Sequence, residues 1–188
     1  IIEDNLCEVE NGFEVDITIT YDRQKDLDYL LKDYEIVNKS YEEIEYRFVR
    51  TFYEPKLNDH VLELLDYLKS LNIPLYVLSN SMYSTSCVEK ELMELGIRDY
   101  FKLVISSGDH LVRKPSSDLF KLYLKKFDMM GYSTKDICYI GNDYYYDIVT
   151  PVKLGMISVL LSDKDVDHGD YLEISNYLNL ISELKKYE

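Results

Sequence analysis

The chain has 188 residues, enough for one large domain or for a core domain with a small insertion. Apolar residues make up 46% of it, so a hydrophobic core can form and the composition argues against a disordered chain. The formal net charge of −14 argues against nucleic acid as a partner, because phosphate backbones are bound by clustered lysine and arginine side chains.

No apolar run approaches the length of a membrane span, and the sequence as given does not open with the pattern of a signal peptide. Three cysteines, Cys7, Cys87 and Cys138, are scattered along the chain and form no metal-binding or redox motif. We interpret them as reduced thiols, and we therefore expect a cytoplasmic protein without a membrane partner. Nothing in the sequence indicates the oligomeric state.

The first part of the chain predicts one strand and two helices. Apolar residues alternate at Phe13, Val15, Ile17 and Ile19, as in a β-strand. Two amphipathic helices follow, and the second begins at a capping box in residues 40–43. We interpret residues 21–53 as a small helical cap, inserted into a core domain formed by residues 1–20 and 54–188.

From residue 58 onward, strand and helix patterns alternate. Apolar strands are predicted at Ile73–Leu78, Leu103–Ser106, Ile137–Ile140 and Ile157–Leu161. Helices are predicted between them, and a final amphipathic helix is predicted over Tyr171–Lys186. Strands separated by helices pair in parallel through right-handed crossovers. The predicted fold is therefore α/β, with a doubly wound parallel sheet.

Polar side chains follow the first two of these strands at their carboxyl ends, where open α/β sheets bind ligands. Ser79 and Asn80 could donate hydrogen bonds to a phosphoryl oxygen, although Ser-Asn-Ser is also ordinary turn chemistry. Lys114 could hold a phosphate and a carboxylate together as a fixed positive charge. The alternative for Lys114 is a solvated lysine in front of a proline that starts a helix.

The third strand runs into a loop with paired acids. Gly141 and Asn142 are followed by Asp143 and, four residues later, by Asp147. Paired carboxylates at a strand end suit a hard divalent cation such as Mg²⁺, which prefers oxygen ligands. The alternative is a helix start with acidic residues, which the helix dipole favours without any metal.

The order and spacing of these three segments resemble the haloacid dehalogenase (HAD) superfamily. The similarity runs from about residue 58 to residue 161, and the segments around Ser79 and Lys114 look like those of its phosphatase-type members. The resemblance implies a Rossmannoid core with a cap, and a Mg²⁺-dependent hydrolase that acts on a small phosphorylated metabolite through an aspartyl-phosphate. It also implies that Ser79 and Lys114 stabilise the phosphoryl group and that Asn142, Asp143 and Asp147 hold the metal.

The nucleophile motif of this superfamily, D-x-D-x-T, is incomplete in the sequence. Residues 16–20 keep its first aspartate, Asp16, and its final threonine, and place Thr18 at the general-acid position. Asp4 is a second candidate for the nucleophile, and a chain in which neither aspartate reacts is the third interpretation. In each case we expect Phe13–Ile19 to form the central strand, because a sheet without that strand would expose unpaired edges.

Two alternative functions remain at this point. The superfamily carries an acidic residue where this chain has Asn142, and this favours slightly a dehalogenase that needs no metal. The incomplete nucleophile motif favours a catalytically degenerate or truncated domain with a binding or regulatory role. We interpret the acidic segment 163–167 as a solvated turn rather than a calcium loop, because the glycine and glutamate of such a loop are missing.

Overall fold

The computed structural model describes residues 6–9, 12–15, 41–52, 54–110 and 112–187. The helices in these ranges are α1 (Tyr41–Arg50), α2 (Val61–Ser70), α3 (Thr85–Glu94), α4 (Ser117–Met129), α5 (Val149–Lys153) and α6 (Tyr177–Leu184). The strands are β1 (Leu6–Val9), β2 (Gly12–Val15), β3 (Leu75–Ser79), β4 (Phe101–Ser106), β5 (Cys138–Gly141), β6 (Ile157–Leu161), β7 (Val166–Asp167) and β8 (Leu172–Ile174). None of the helices in the described ranges is long and apolar enough to cross a bilayer.

The strands of the alternating region pair in parallel, as predicted. β3 pairs with β4, while β5, β6 and β8 form a second parallel group that β7 extends in the antiparallel direction. Helix α4 contacts both groups, because Phe127 packs on Tyr76 of β3 and Phe120 packs on Tyr139 of β5. The α/β class is therefore confirmed, and one helix joins the two groups of strands.

One cluster of the core lies between helices α2 and α6 and the strands beneath them. Its buried members are Leu64 and Leu68 of α2, Val159 of β6, Ile174 of β8 and Leu180 of α6. Each such side chain contributes about 1.5–3 kcal/mol when it leaves water. Strand β6 is buried along most of its length, which explains why its sequence is apolar without alternation.

Near the start of the chain, the observed pairing differs from the predicted one. β2 pairs with β1 in an antiparallel hairpin, with residue 13 opposite residue 8. The prediction of a central parallel strand is therefore wrong for residues 13–15, and residues 16–19 lie outside the described ranges. Alternation predicts a strand but leaves its partner open, and the partner here is the neighbouring segment β1.

The predicted last helix is shorter than expected and is preceded by a hairpin. The first residues of the predicted helix form strand β8 instead. Helix α6 begins only after Asn176, whose side chain accepts a hydrogen bond from Asn179 N–H. The predicted acidic turn at 163–167 also contains strand β7, which pairs with β8. The apolar residues of 171–176 suit a strand as well as a helix, and pairing with the free edge of β6 decides between the two.

A buried carboxylate, Glu173, holds this hairpin together. Its two oxygens lie 2.5 Å from Ser162 Oγ and 2.7 Å from His168 Nε2. These hydrogen bonds, first that from Ser162 and then that from His168, lower the pKa of Glu173. The hairpin therefore contacts the end of β6 through the hydrogen bond of Glu173 with Ser162 as well as through the backbone pairing of β8 with β6.

Of the predicted cap, the described residues contain α1 and the short segment after it. Helix α1 lies against α3, where Arg50 lies 2.9 Å from Glu94 and Tyr46 also donates to Glu94. The buried Glu45 accepts hydrogen bonds from the backbone N–H and the hydroxyl of Ser84, which caps α3. Residues 21–40 and Tyr53 lie outside the described ranges, so the cap boundaries at 21–53 stay a prediction.

Candidate active site

A buried ion pair joins two of the three predicted strand-end segments. Lys114 follows β4, Asp147 follows β5, and Lys114 Nζ lies 2.5 Å from Asp147 Oδ1. The two residues are only 7% and 5% exposed. Sequence reasoning placed both at the same edge of the sheet, and the structure brings them into contact. Removing one partner of such a pair leaves an uncompensated charge, at a cost of about 3–5 kcal/mol.

Asp147 is held on its other oxygen by the loop that precedes it. Oδ2 accepts hydrogen bonds from the backbone N–H of Asn142 at 3.2 Å and of Asp143 at 3.1 Å. Gly141 makes this arrangement possible, because a Cβ at that position would lie 2.3 Å from Asp147 Cβ. The loop therefore needs glycine at 141 for packing, and it fixes the Asp147 carboxylate from both sides.

The loop continues into a π-helical turn, Tyr144–Ile148. Asp143 begins this turn, and its Oδ1 accepts from Tyr146 N–H at 2.9 Å. Turns of this wide kind are rare and occur frequently at functional sites. The side chains of Asn142 and Asp143 are exposed at the carboxyl end of β5, whereas Asp147 is buried behind them.

Asn80 has a contact that the sequence did not predict. Its Oδ1 accepts from Lys114 N–H at 3.0 Å, and its Nδ2 donates to the Lys114 carbonyl at 3.4 Å. The carboxamide therefore clamps the backbone of the lysine that enters the ion pair. A carboxamide carries a second N–H donor, so the predicted contact of Asn80 with phosphate stays a prediction beside this clamp.

Ser79 is the last residue of β3 and lies opposite Ser106 in the ladder. Its side chain is half-buried, and within the described ranges its hydroxyl has no assigned hydrogen-bond partner. The next turn is fixed, because Ser107 Oγ accepts from Ser81 N–H at 2.9 Å and donates to the Ser81 carbonyl at 2.8 Å. The predicted role of Ser79 in phosphate binding stays a prediction.

Tyr139 is the site residue that sequence reasoning missed. Its hydroxyl lies 3.1 Å from Lys114 Nζ, 3.4 Å from Asp147 Oδ1 and 3.5 Å from the Leu78 carbonyl. Burial raises the pKa of this hydroxyl, and the nearby Asp147 carboxylate raises it further, so the phenol keeps its proton. A tyrosine inside an apolar strand was the available signal, because a buried phenol usually needs a polar partner.

The candidate nucleophiles lie outside the described residues. Asp4, Asp16 and Thr18 all lie in ranges that the structure does not describe. The prediction that Asp16 reacts is therefore not tested by the structure.

The chemistry of the loop fits a magnesium ion. Asn142, Asp143 and Asp147 supply only oxygen atoms, the ligand type that Mg²⁺ prefers, and the first two are exposed at the strand end. Both oxygens of Asp147 already accept hydrogen bonds, so the exposed pair would carry the direct contacts. In the described residues, no group of three histidine, cysteine, aspartate or glutamate side chains is arranged around a common point. A complete metal site would therefore need a further ligand, and Asp16 is the candidate that the sequence offers.

Comparison with known proteins identifies the same family as the motifs. A model of the haloacid dehalogenase-like hydrolases matches residues 11–161. Glyceraldehyde 3-phosphate phosphatase from Methanocaldococcus jannaschii is 28% identical over 135 residues, which are 68% of this chain and 57% of the relative. The chain therefore spans less than two thirds of the length of that curated relative.

Two solved structures share the fold. A HAD phosphatase from Thermococcus onnurineus superposes with a TM-score of 0.58 at 21% identity and covers 86% of this chain and 74% of its own. The HAD-hydrolase YfnB from Bacillus subtilis, crystallised with magnesium, has a TM-score of 0.58 at 19% identity. The match covers 88% of this chain and 84% of YfnB. At these identities the similarity concerns the fold.

Proposed function

The chain belongs to the haloacid dehalogenase-like hydrolase family, and from this premise we propose that it is a Mg²⁺-dependent phosphohydrolase acting on a small phosphorylated metabolite. The observation that carries the proposal is the buried pair of Lys114 and Asp147 at the strand ends. Burying a lysine and an aspartate is costly, and such groups gather where a function needs a fixed charge. The curated relative, by its name, acts on a three-carbon phosphate, which supports a small substrate.

In the proposed reaction, a carboxylate oxygen of Asp16 attacks phosphorus, the bond to the leaving oxygen breaks, and that oxygen takes up a proton from water. A water molecule then attacks the aspartyl-phosphate, which releases inorganic phosphate and restores Asp16. The role of Asp16 rests on its place in the incomplete D-x-D-x-T motif. Dividing the hydrolysis into two displacements lowers the barrier of each.

The other site residues bind and orient the phosphoryl group. Lys114 would place its ammonium against the phosphoryl oxygens, and Ser79 would donate its hydroxyl to one of them. Asn80 would keep the Lys114 backbone in place through its two hydrogen bonds. Asn142 and Asp143, backed by Asp147, would hold Mg²⁺, which when bound supplies positive charge opposite the phosphoryl oxygens.

Hydrolysis of a generic aryl phosphate tests the proposal. The full chain is assayed with Mg²⁺ and with EDTA, as wild type, Asp16→Asn and Lys114→Ala, with Lys121→Ala as the matched control. Lys121 is an exposed lysine on α4, and its ion-pair partner among the described residues is the neighbouring Asp118, so its removal should leave turnover unchanged. We expect Mg²⁺-dependent turnover that both site substitutions abolish.

Other outcomes lead to different conclusions. Turnover that survives Asp16→Asn but not Lys114→Ala would move the nucleophile to Asp4. No turnover by the wild type would contradict the phosphohydrolase and favour the non-catalytic alternative. Asn142 also supports a second candidate, a metal-independent dehalogenase, and release of chloride from 2-chloropropionate in EDTA would identify it.

A further inference from the structure

The Tyr139 hydroxyl lies between the two halves of the candidate site. Residues Ser79, Asn80 and Lys114 belong to the side of β3 and β4, whereas Asp147 belongs to the loop after β5. Tyr139 is part of β5, yet its hydroxyl lies 3.5 Å from the Leu78 carbonyl on β3 and 3.1 Å from Lys114 Nζ. Its side chain therefore reaches from one half to the other.

The hydrogen bonds have a defined direction. The Lys114 ammonium only donates, so the Tyr139 oxygen accepts from it. The proton of the hydroxyl is then directed to Asp147 Oδ1 at 3.4 Å or to the Leu78 carbonyl at 3.5 Å. The ring is held in place, because Phe120 packs edge-on at 5.2 Å between centroids. A fixed ring gives the hydroxyl a fixed position.

The contacts of Lys114 explain why this matters. In the described ranges, the polar side-chain partners of its ammonium are the Asp147 carboxylate and the Tyr139 hydroxyl. Asp147 is fixed by two backbone N–H groups, but an ammonium held by one carboxylate oxygen can pivot about it. A second contact removes that freedom, and a misplacement of about 1 Å at a reacting group is enough to reduce a rate strongly.

We propose that Tyr139 is a positioning residue for the hydrolysis, which holds the Lys114 ammonium and thereby aligns the phosphate-binding side of the site with the metal-binding loop. This inference rests on the proposed function. It concerns the phenol as a neutral hydrogen-bonding group. Tyr139 acts on the substrate only through Lys114 and Asp147.

The chain offers a matched control in Tyr123. This buried tyrosine, on α4, donates its hydroxyl to the Val77 carbonyl of β3, the residue next to Leu78. Burial raises the pKa of its hydroxyl as well. Tyr123→Phe therefore removes a hydroxyl that donates to β3 without removing a contact of Lys114, and it reports any effect of loosening β3.

The first test is kinetic and uses the full chain with an aryl phosphate and Mg²⁺. For Tyr139→Phe we expect kcat to fall about tenfold, the size of one hydrogen bond to a charged group, with KM changed by less than about twofold. For Tyr123→Phe we expect both constants to stay within about twofold of the wild type. Equal kcat values for the two variants would overturn the inference, because the effect would then be that of losing any buried hydroxyl.

The second test does not depend on turnover. In a double-mutant cycle of urea unfolding, Tyr139→Phe and Lys114→Met are expected to be coupled by about fivefold or more in the unfolding equilibrium constant. The pair of Tyr123→Phe and Lys114→Met is expected to be additive within about twofold. An additive first cycle would overturn the inference in an active protein. A wild type without turnover would instead overturn the proposed function, and the positioning role with it, whatever the cycle gives.

Discussion

Replacement of Gly141 by alanine tests how closely the loop 141–147 is packed. A Cβ at this position would lie 2.3 Å from both Cβ and Cγ of Asp147 and 2.5 Å from its Oδ2. Carbon atoms in proteins stay about 3.5–4.0 Å apart, so the atoms must separate by more than about 1 Å. Asp147 cannot rotate away without losing Lys114 and the two backbone N–H groups that hold its carboxylate.

The expected loss of stability follows from these contacts. Overpacking of a dense site costs about 1–3 kcal/mol, and separation of a buried ion pair costs about 3–5 kcal/mol. Because the strand can share part of the movement, we expect the free energy of unfolding to fall by about 3–5 kcal/mol. Urea unfolding with an unchanged m-value measures this, and the aryl phosphatase assay should show a loss of at least about 100-fold, because Asp147 and Lys114 move together.

Gly131→Ala is the control for Gly141→Ala. Gly131 has a φ of +86° and no atom within 4 Å of an added Cβ, so the substitution costs backbone strain alone, about 1–2 kcal/mol. The reasoning is refuted if Gly141→Ala unfolds within about 0.5 kcal/mol of the wild type, or if it loses stability while keeping full turnover.

Three further predictions follow from other contacts. Asn80→Ala removes both hydrogen bonds to the Lys114 backbone, so kcat for an aryl phosphate should fall about 10-fold or more. Asn80→Asp should show the same loss of kcat, because a carboxylate cannot donate to the Lys114 carbonyl. Glu45→Ala leaves a capping serine without its buried acceptor and should lower the urea-derived free energy of unfolding by about 1–3 kcal/mol. Glu43→Ala removes a partly exposed carboxylate of the same helix that pairs with Arg47, and it should change this free energy by less than about 0.5 kcal/mol. Glu173 has a lowered pKa in the folded state, so its stabilisation exists above the pKa of an unfolded glutamate and is lost as the pH falls through the lowered value. The difference in Tm between wild type and Glu173→Gln should therefore be present near neutral pH and vanish in acid. A difference that grows as the pH falls would contradict the lowered pKa of Glu173.

The edge of the sheet that carries the site was predictable from short-range patterns. Apolar runs followed by polar residues locate strand ends, and parallel pairing brings those ends to one edge. This reasoning placed the segments of Lys114 and Asp147 at one edge although 33 positions separate the two residues, and the structure brings their side chains into contact. The prediction needed only the direction of the strands.

Tertiary contacts between segments that are distant in sequence were not predictable in the same way. Nothing in the local sequence shows that the Asn80 carboxamide faces the backbone of Lys114, because that contact joins two loops that follow different strands. The contacts of the Tyr139 hydroxyl were not predictable either, because packing decides which groups of β3 and of the loop before α4 lie next to it. The partner of residues 13–15 is a further example, because alternation predicts a strand and leaves its pairing open.

The sequence by itself determined the α/β class, the order of the elements and the three segments that meet at the site, because periodicity, glycine and capping residues act over a few neighbours. Tertiary structure alone decided which side chains touch there: the ion pair of Lys114 with Asp147, the clamp of Asn80 and the hydroxyl of Tyr139. The physical reason is that a buried charge or phenol is stable only with a partner, and in a parallel sheet that partner comes from a distant part of the chain.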